Sequence, residues 1–245
     1  MFSELVRLAG NTLGGLTDRL RRFGKRHEVW IDVGSHLGER TFDVARSRPW
    51  VTVFAFEPNL AVATRRMGRL SNFIVLPMAV TETDGHTSFY LNEYDAASSV
   101  LPFNEGGRKD WIRGTELVVT RVTTVPSIRL DTFMSAVGVG TVDYLKIDAQ
   151  GADFMVIKSA GARLTDVMKL ELEVQITPTE LYTGAGSKGD VVDYLRRAGF
   201  VLHDTVRQSF DQEENLTFFR TAPRPRPPAP PVGQPSLGVG RAGGG

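Results

Sequence analysis

Residues 29–38 read VWIDVGSHLG. A run rich in β-branched and aromatic residues ends in Asp32, and Gly34 and Gly38 follow four apart. The run predicts a buried strand over 29–33. In open parallel sheets, ligands sit beyond the carboxyl ends of the strands, where strand order reverses. Asp32 would stand at such an end. Gly34 and Gly38 let the chain turn sharply and bring bare backbone N–H groups close to a ligand. The next helix would start near Gly38 and point its positive N-terminus at the same place.

Nineteen residues after Gly38, Glu57 closes VTVFAFE at 51–57. An acid at the end of the second strand can accept both hydroxyls of a ribose, because two carboxylate oxygens match a cis-diol. Together the two strand ends describe a nucleoside pocket. A dinucleotide site normally shows G-x-G-x-x-G, with pyrophosphate on the helix N-terminus. Here the acid precedes the glycines, where it faces a cation better than a phosphate. S-adenosylmethionine, with an ammonium, a sulfonium, a ribose and no phosphate, fits. The competing structural reading is a capped strand end followed by an ordinary glycine turn, and a dinucleotide oxidoreductase is disfavoured by the glycine spacing.

Outward from this pair the chain alternates strands and helices. Strand-like runs lie at 29–33, 51–56, 73–77, 142–148, 169–176, 200–204 and 215–220, and helix-like stretches at about 39–48, 59–70, 152–160 and 188–198. Strands rich in Val, Ile and Phe, separated by helices, predict an α/β fold: a doubly wound, mainly parallel seven-stranded sheet covered on both faces. The last connection, TVRQSFDQEE, lacks helical patterning, which suits an antiparallel final strand. Residues 87–125 break the alternation with two strands, TSFYLN and ELVVTRVTTV, around a long loop rich in Gly, Ser and aromatics. Such a loop reads as a lid or binding segment. SIRLDTFMSAVG then reads as a short helix.

The two ends differ from this body. Over 1–27, Phe2, Leu5, Ala9, Leu13, Leu16, Leu20 and Phe23 form one apolar helical stripe beside several arginines. It reads as an amphipathic helix packed on the main domain, with contact to anionic lipid as the less favoured alternative. The Pro/Gly-rich tail, 221–245, holds too little apolar surface to offset its ordering entropy and is expected to be disordered. The methyl-transfer body would thus span 28–220.

The chain has 245 residues, a formal net charge of +1 and no cysteine. Disulfides, thiolate metal sites and cysteine nucleophiles are excluded. The basic residues concentrate at the ends and leave the body mildly acidic, which argues against a nucleic-acid partner. No apolar run approaches the ~18 residues of a membrane span, and the N-terminus lacks a secretory pattern, so a cytoplasmic protein is expected. Its oligomeric state is open.

IDVGSHLGERT, FAFEPN, LPMAV, SIRLDTF and VDYLKIDAQGADFMVIKSAG, in order from about 29 to 220, resemble the FkbM-like family of S-adenosylmethionine-dependent methyltransferases. The resemblance implies a Rossmann-like methyltransferase sheet with an antiparallel last strand. It also implies O-methylation of a sugar, glycan or natural-product hydroxyl. With it, cofactor binding is expected at Asp32, Gly34, Ser35, His36, Gly38, Glu57, Pro58 and Ala79, and Ser98 and Ser99 resemble a serine pair common in the family, which would bond substrate hydroxyls or merely make a turn. Two departures stand out. The family's K-I-D-x-E-G-x-E reads KIDAQGAD here, with Gln150 and Asp153 in place of the glutamates. The position after Gly34 is usually small and followed by Asn, where this chain has Ser35 and His36.

Methyl transfer to a hydroxyl needs the acceptor oxygen in line with the methyl carbon and a base to take its proton. Asp148, closing the fourth strand, and Glu173, in the fifth, are the candidate bases. Gln150 stands beside them, although an amide cannot act as a base. Asp148 and Glu173 could share a divalent cation, with Gln150 lending an amide oxygen, but a reaction without metal is favoured. For the acids of the fifth strand, Glu171 and Glu173, pairing with Lys146 or Lys169 is the structural alternative. The alternative function is a cofactor-binding protein of the same fold without activity.

Overall fold

The computed structural model describes residues 26–221. Residues 1–25 and 222–245, and with them nearly all of the expected N-terminal helix and tail, lie outside the described residues.

The chain runs β1 (Glu28–Val33), α1 (Glu39–Ser47), β2 (Val51–Phe56), α2 (Leu60–Ala63), β3 (Phe73–Leu76), β4 (Ala79–Val80), β5 (Gly85–Asn92), α3 (Glu105–Asp110), β6 (Val119–Ile128), α4 (Leu130–Ala136), β7 (Tyr144–Ile147), α5 (Asp153–Ser159), β8 (Lys169–Gln175), α6 (Lys188–Arg197), β9 (Phe200–Gln208) and β10 (Glu213–Arg220). Seven strands form one sheet in the order β3-β2-β1-β7-β8-β10-β9. β10 alone runs antiparallel, inserted between β8 and β9. The expected doubly wound sheet with an antiparallel last strand is therefore present. The chain first builds outward from β1 to β3 and then returns to place β7 on the other side of β1. That reversal opens a crevice at the carboxyl ends of β1 and β7. β4, β6 and β5 form a separate three-stranded sheet.

Strand parity decides what each face holds. Ile31, Val33, Phe54, Phe56, Leu145, Ile147, Leu170 and Leu172 point to one face and join a single core with α4, α5 and α6. Burying each large apolar side chain there contributes about 1.5–3 kcal/mol. On the other face α1 seats Phe42 and Ala45 against Val51, Val53, Ala55 and Phe73.

Two expected elements differ. The helix expected over 59–70 is only one turn, Leu60–Ala63, capped by the Asn59 side chain on Ala61 N–H at 3.2 Å. Beyond it the bonds tighten to three-residue spacing (Arg65 to Val62, Arg66 to Ala63), and Gly68 takes a left-handed φ of 71°. There Arg66 leaves the helical register to donate to the Leu37 carbonyl at 2.8 Å and stack 4.3 Å over Phe42. Conversely, the long loop is more ordered than its composition suggested. Asn104 caps α3 through the N–H groups of Gly106 and Gly107, and short 3-10 turns form at Asp95–Ala97 and Gly114–Glu116.

Candidate active site

A cavity of about 440 Å³ opens at the strand reversal. Ten residues read from the sequence line it: Gly34, His36, Glu57, Pro58, Ala79, Ser98, Ser99, Asp148, Gln150 and Glu173. Gly34 (φ 69°) turns so tightly behind β1 that a Cβ on it would lie 1.8 Å from the Asp148 carbonyl oxygen. Only glycine fits there, and the close approach sets the cofactor turn directly against the loop that carries Asp148.

Glu57 begins where β2 stops pairing. Its Oε2 accepts from His36 N–H at 2.9 Å and its Oε1 from Asn59 N–H at 2.7 Å, so the carboxylate is oriented while facing the cavity. Burial pushes its pKa up, and the two backbone N–H bonds pull it back. Phe56, Pro58, Met78, Ala79 and Val80 add an apolar wall beside it.

Asp32, Ser35 and Gly38 do not line this cavity. Asp32 is 1% exposed and pairs in register with Lys146 of β7. Its Oδ2 accepts from Thr41 Oγ1 at 2.5 Å, and Lys146 Nζ stands 3.4 Å from its Oδ1. Lys146 spans to Asp148 Oδ2, also at 3.4 Å. Burial opposes the lysine's charge, but the two carboxylates outweigh it and raise its pKa. Ser35 is buried and turned inward, its N–H bonded to the Phe56 carbonyl at 2.9 Å. Gly38 ends the turn against the Phe73 ring. These three residues border a smaller cavity of about 260 Å³ on the α1 side, which shares Glu39 and Asp148 with the first.

At the far side of the main cavity, Gln150 Nε2 donates to Asp148 Oδ1 at 2.9 Å and reaches Glu173 Oε2 at 3.5 Å. Tyr182 Oη donates to the Ala97 carbonyl at 2.9 Å and stands 3.1 Å from Gln150 Oε1. Gly151 (φ 84°) makes this possible, since a Cβ on it would lie 2.7 Å from the Tyr182 ring. Glu173 also accepts from Gln208. Burial, then the charges of Asp148, Glu213 and Asp153, raise the Glu173 pKa well above the carboxylate range. Of the fifth-strand acids, Glu171 pairs with Arg40 at 2.5 Å rather than with Lys146 or Lys169, while Lys146 pairs with Asp148.

Ser98 and Ser99 both serve the backbone. Ser98 Oγ accepts from Asn92 N–H at 3.0 Å, and Ser99 Oγ donates to the Gln150 carbonyl at 2.7 Å. His36 joins the two halves, with Nε2 3.0 Å from Asp95 Oδ1 and Nδ1 3.2 Å from Glu39 Oε1. Burial disfavours its charge, yet these two carboxylates outweigh burial and raise its pKa. Among the described residues no three His, Asp or Glu side chains converge to hold a metal ion. No described helix is long and apolar enough to cross a membrane.

Tyr182 and Glu213 line the cavity without having been singled out. Tyr182 sits in a Thr/Gly-rich loop with no periodicity. Glu213 could have been found, because strand alternation in EENLTFFR puts it on the same face as Glu173 through the pairs Glu213–Gln175 and Asn215–Glu173.

The chain is 27% identical over 207 residues to the 2-O-methyltransferase NoeI of Sinorhizobium fredii, covering 79% of this chain and 82% of that protein. It is 25% identical over 209 residues to the AMB antimetabolite synthetase AmbE of Pseudomonas aeruginosa, 74% of this chain but 10% of the synthetase. Among solved structures, magnesium protoporphyrin IX methyltransferase (ChlM) from Synechocystis with bound SAM aligns at a TM-score of 0.42 and 12% identity, over 88% of this chain and 82% of that one. Residues 32–202 match the methyltransferase FkbM domain. As the motifs implied, the chain belongs to that family and is an S-adenosylmethionine-dependent methyltransferase.

Proposed function

We propose that this chain methylates a hydroxyl of a sugar, glycan or natural-product acceptor. The observation that carries the reading is that one cavity is lined both by an oriented carboxylate, Glu57, and by the Asp148–Gln150–Glu173 group. The residues present suit the cofactor. Glu57 offers two buried oxygens to a ribose diol, and the wall of Phe56, Pro58, Met78, Ala79 and Val80 suits a flat base. Gly34 and His36 border the place for the amino-acid end. When bound, the cofactor supplies an electrophilic sulfonium methyl.

Asp148 takes the proton of the acceptor hydroxyl. Gln150 holds one Asp148 oxygen in place. Lys146 holds the other. Gln150 thus acts as a positioning residue, a role an amide fills as well as an acid. A hydroxyl acceptor is supported by the printed activity of NoeI, a 2-O-methyltransferase. The reaction belongs to the cytoplasm in this reading and uses no nucleic-acid substrate.

The test is transfer of labelled methyl from S-adenosylmethionine to a panel of glycosides and hydroxylated natural products, beside calorimetric binding of S-adenosylhomocysteine. Ether products are expected. Methylation confined to nitrogen or carboxylate acceptors would overturn the hydroxyl assignment.

A further inference from the structure

Gln150 stands in an unfavourable backbone conformation. Its φ is 51°, in the left-handed region that residues other than glycine rarely adopt. Such strain persists only where the surroundings impose it, and it gathers at functional sites. Two segments impose it here. From the loop after β5, Ser99 Oγ donates to the Gln150 carbonyl at 2.7 Å and accepts from Leu101 N–H at 3.0 Å. From the segment after β8, Tyr182 packs its ring on Gly151, and its Oη lies 2.9 Å from the Ala97 carbonyl and 3.1 Å from Gln150 Oε1. Ser99 and Tyr182 are both buried. Burial raises the Tyr182 pKa well above that of an exposed phenol, so the hydroxyl keeps its proton. That single proton lies between two oxygens, the Ala97 carbonyl and the Gln150 amide oxygen.

Tyr182 is itself fixed to the loop that lines the cavity. Its ring stacks on Phe103 with centroids 4.9 Å apart. Backbone bonds flank the stack, from Asn104 N–H to the Leu181 carbonyl and from Thr183 N–H to the Pro102 carbonyl, both at 2.8 Å. One phenol therefore joins that loop to the side chain that meets Asp148. With the hydroxyl at Oε1 and the backbone fixed by Ser99, the amide presents Nε2 to Asp148 Oδ1 at 2.9 Å. We infer that Tyr182 and Ser99 are positioning residues for methyl transfer: they hold Gln150 so that its amide N–H keeps the Asp148 carboxylate aimed at the acceptor hydroxyl. The inference rests on the hydroxyl-transfer reading, in which Asp148 is the base. In this role neither residue touches the acceptor, and both act through Gln150.

The test is Tyr182→Phe in the full chain, which keeps the stacked ring and removes only the hydroxyl. A fall in kcat of about tenfold is expected, because a small misplacement of the reacting groups is costly. Acceptor KM, S-adenosylhomocysteine affinity and the unfolding temperature should hold. Ser99→Ala should lower kcat in the same way. In a Gln150→Ala background, Tyr182→Phe should have no further effect on kcat, since a residue acting through Gln150 then has nothing to hold. A readout independent of activity is the Gln150 side-chain amide in a proton–nitrogen correlation spectrum, identified by its loss in Gln150→Ala. Tyr182→Phe should shift that signal and speed its exchange with water. An unchanged kcat or an unmoved amide signal in Tyr182→Phe would overturn the inference. So would a fall in kcat that adds in full to that of Gln150→Ala, or matching losses of cofactor affinity and stability, which would make Tyr182 a structural residue. An amide signal that moves in Tyr182→Phe, with no ether product from the wild-type chain, would leave Tyr182 holding Gln150 and fault the hydroxyl-transfer reading.

Discussion

Asp32 and Glu57 stand at the ends of neighbouring parallel strands, and both are nearly buried, at 1% and 6% exposure. Asp32 still lies within the paired part of the sheet. Its cross-strand partners are Ala55 and Lys146, so the nearest cation is another strand's side chain. Glu57 lies one residue past the last pair of β2, where its neighbours are backbone N–H groups and the cavity. Two positions of strand end thus separate an acid bonded to a lysine of the next strand from an acid bonded to backbone N–H groups beside the cavity. Asp148 occupies the middle ground, one residue past the last β7 pair yet still touched by Lys146.

The contrast can be broken most decisively at Asp32. Removing it by Asp32→Ala leaves Lys146 with a single carboxylate and Thr41 with only the Gly38 carbonyl at 3.3 Å. A loss of about 3–5 kcal/mol in urea unfolding is expected, with little change in S-adenosylhomocysteine affinity of the folded fraction. Collapse of affinity at unchanged stability would show that Asp32 meets the cofactor after all. Next in size, Asp148→Asn should lower kcat by about 100-fold while cofactor affinity holds; parallel losses would make it a binding residue.

Glu57→Ala is the mirror image of Asp32→Ala. Calorimetry should show S-adenosylhomocysteine binding weaker by about 1.5–3 kcal/mol, since charge-assisted bonds are lost, and unfolding should change less than for Asp32→Ala. The smallest effect sharpens the comparison with a third acid. Asp153, buried beneath the site, has its pKa pushed from 3.8 to about 7, by burial first and then by the Asp148 charge. The folded state keeps a proton that the unfolded chain has already released, so stability falls as pH rises from about 4 to 7. Thermal scans across that window should show a shallower fall in Asp153→Asn than in wild type.

Much of this was legible in the residues. All seven strands of the main sheet, its antiparallel member and the helices at 39–48, 152–160 and 188–198 follow from runs of β-branched residues, periodicity and turn chemistry. The one-turn helix after β2 was not legible: the backbone tightens to three-residue bonds before Gly68 turns left-handed, and the Arg66 side chain is drawn to the Leu37 carbonyl, a partner 29 residues away. Nor was the order in the loop at 93–118, which depends on Tyr182 bonding the Ala97 carbonyl at 2.9 Å and on Asn104 N–H bonding the Leu181 carbonyl at 2.8 Å.

From the sequence alone come the sheet, the glycine turn and the candidate acids, because strand alternation and turn geometry are local and depend on residues a few positions apart. Which acid serves the fold and which the cavity was decided by tertiary structure. Register set Lys146 beside Asp32 across 114 residues, and a carboxylate's role is fixed by the charge or N–H that reaches it through space rather than by its place along the chain.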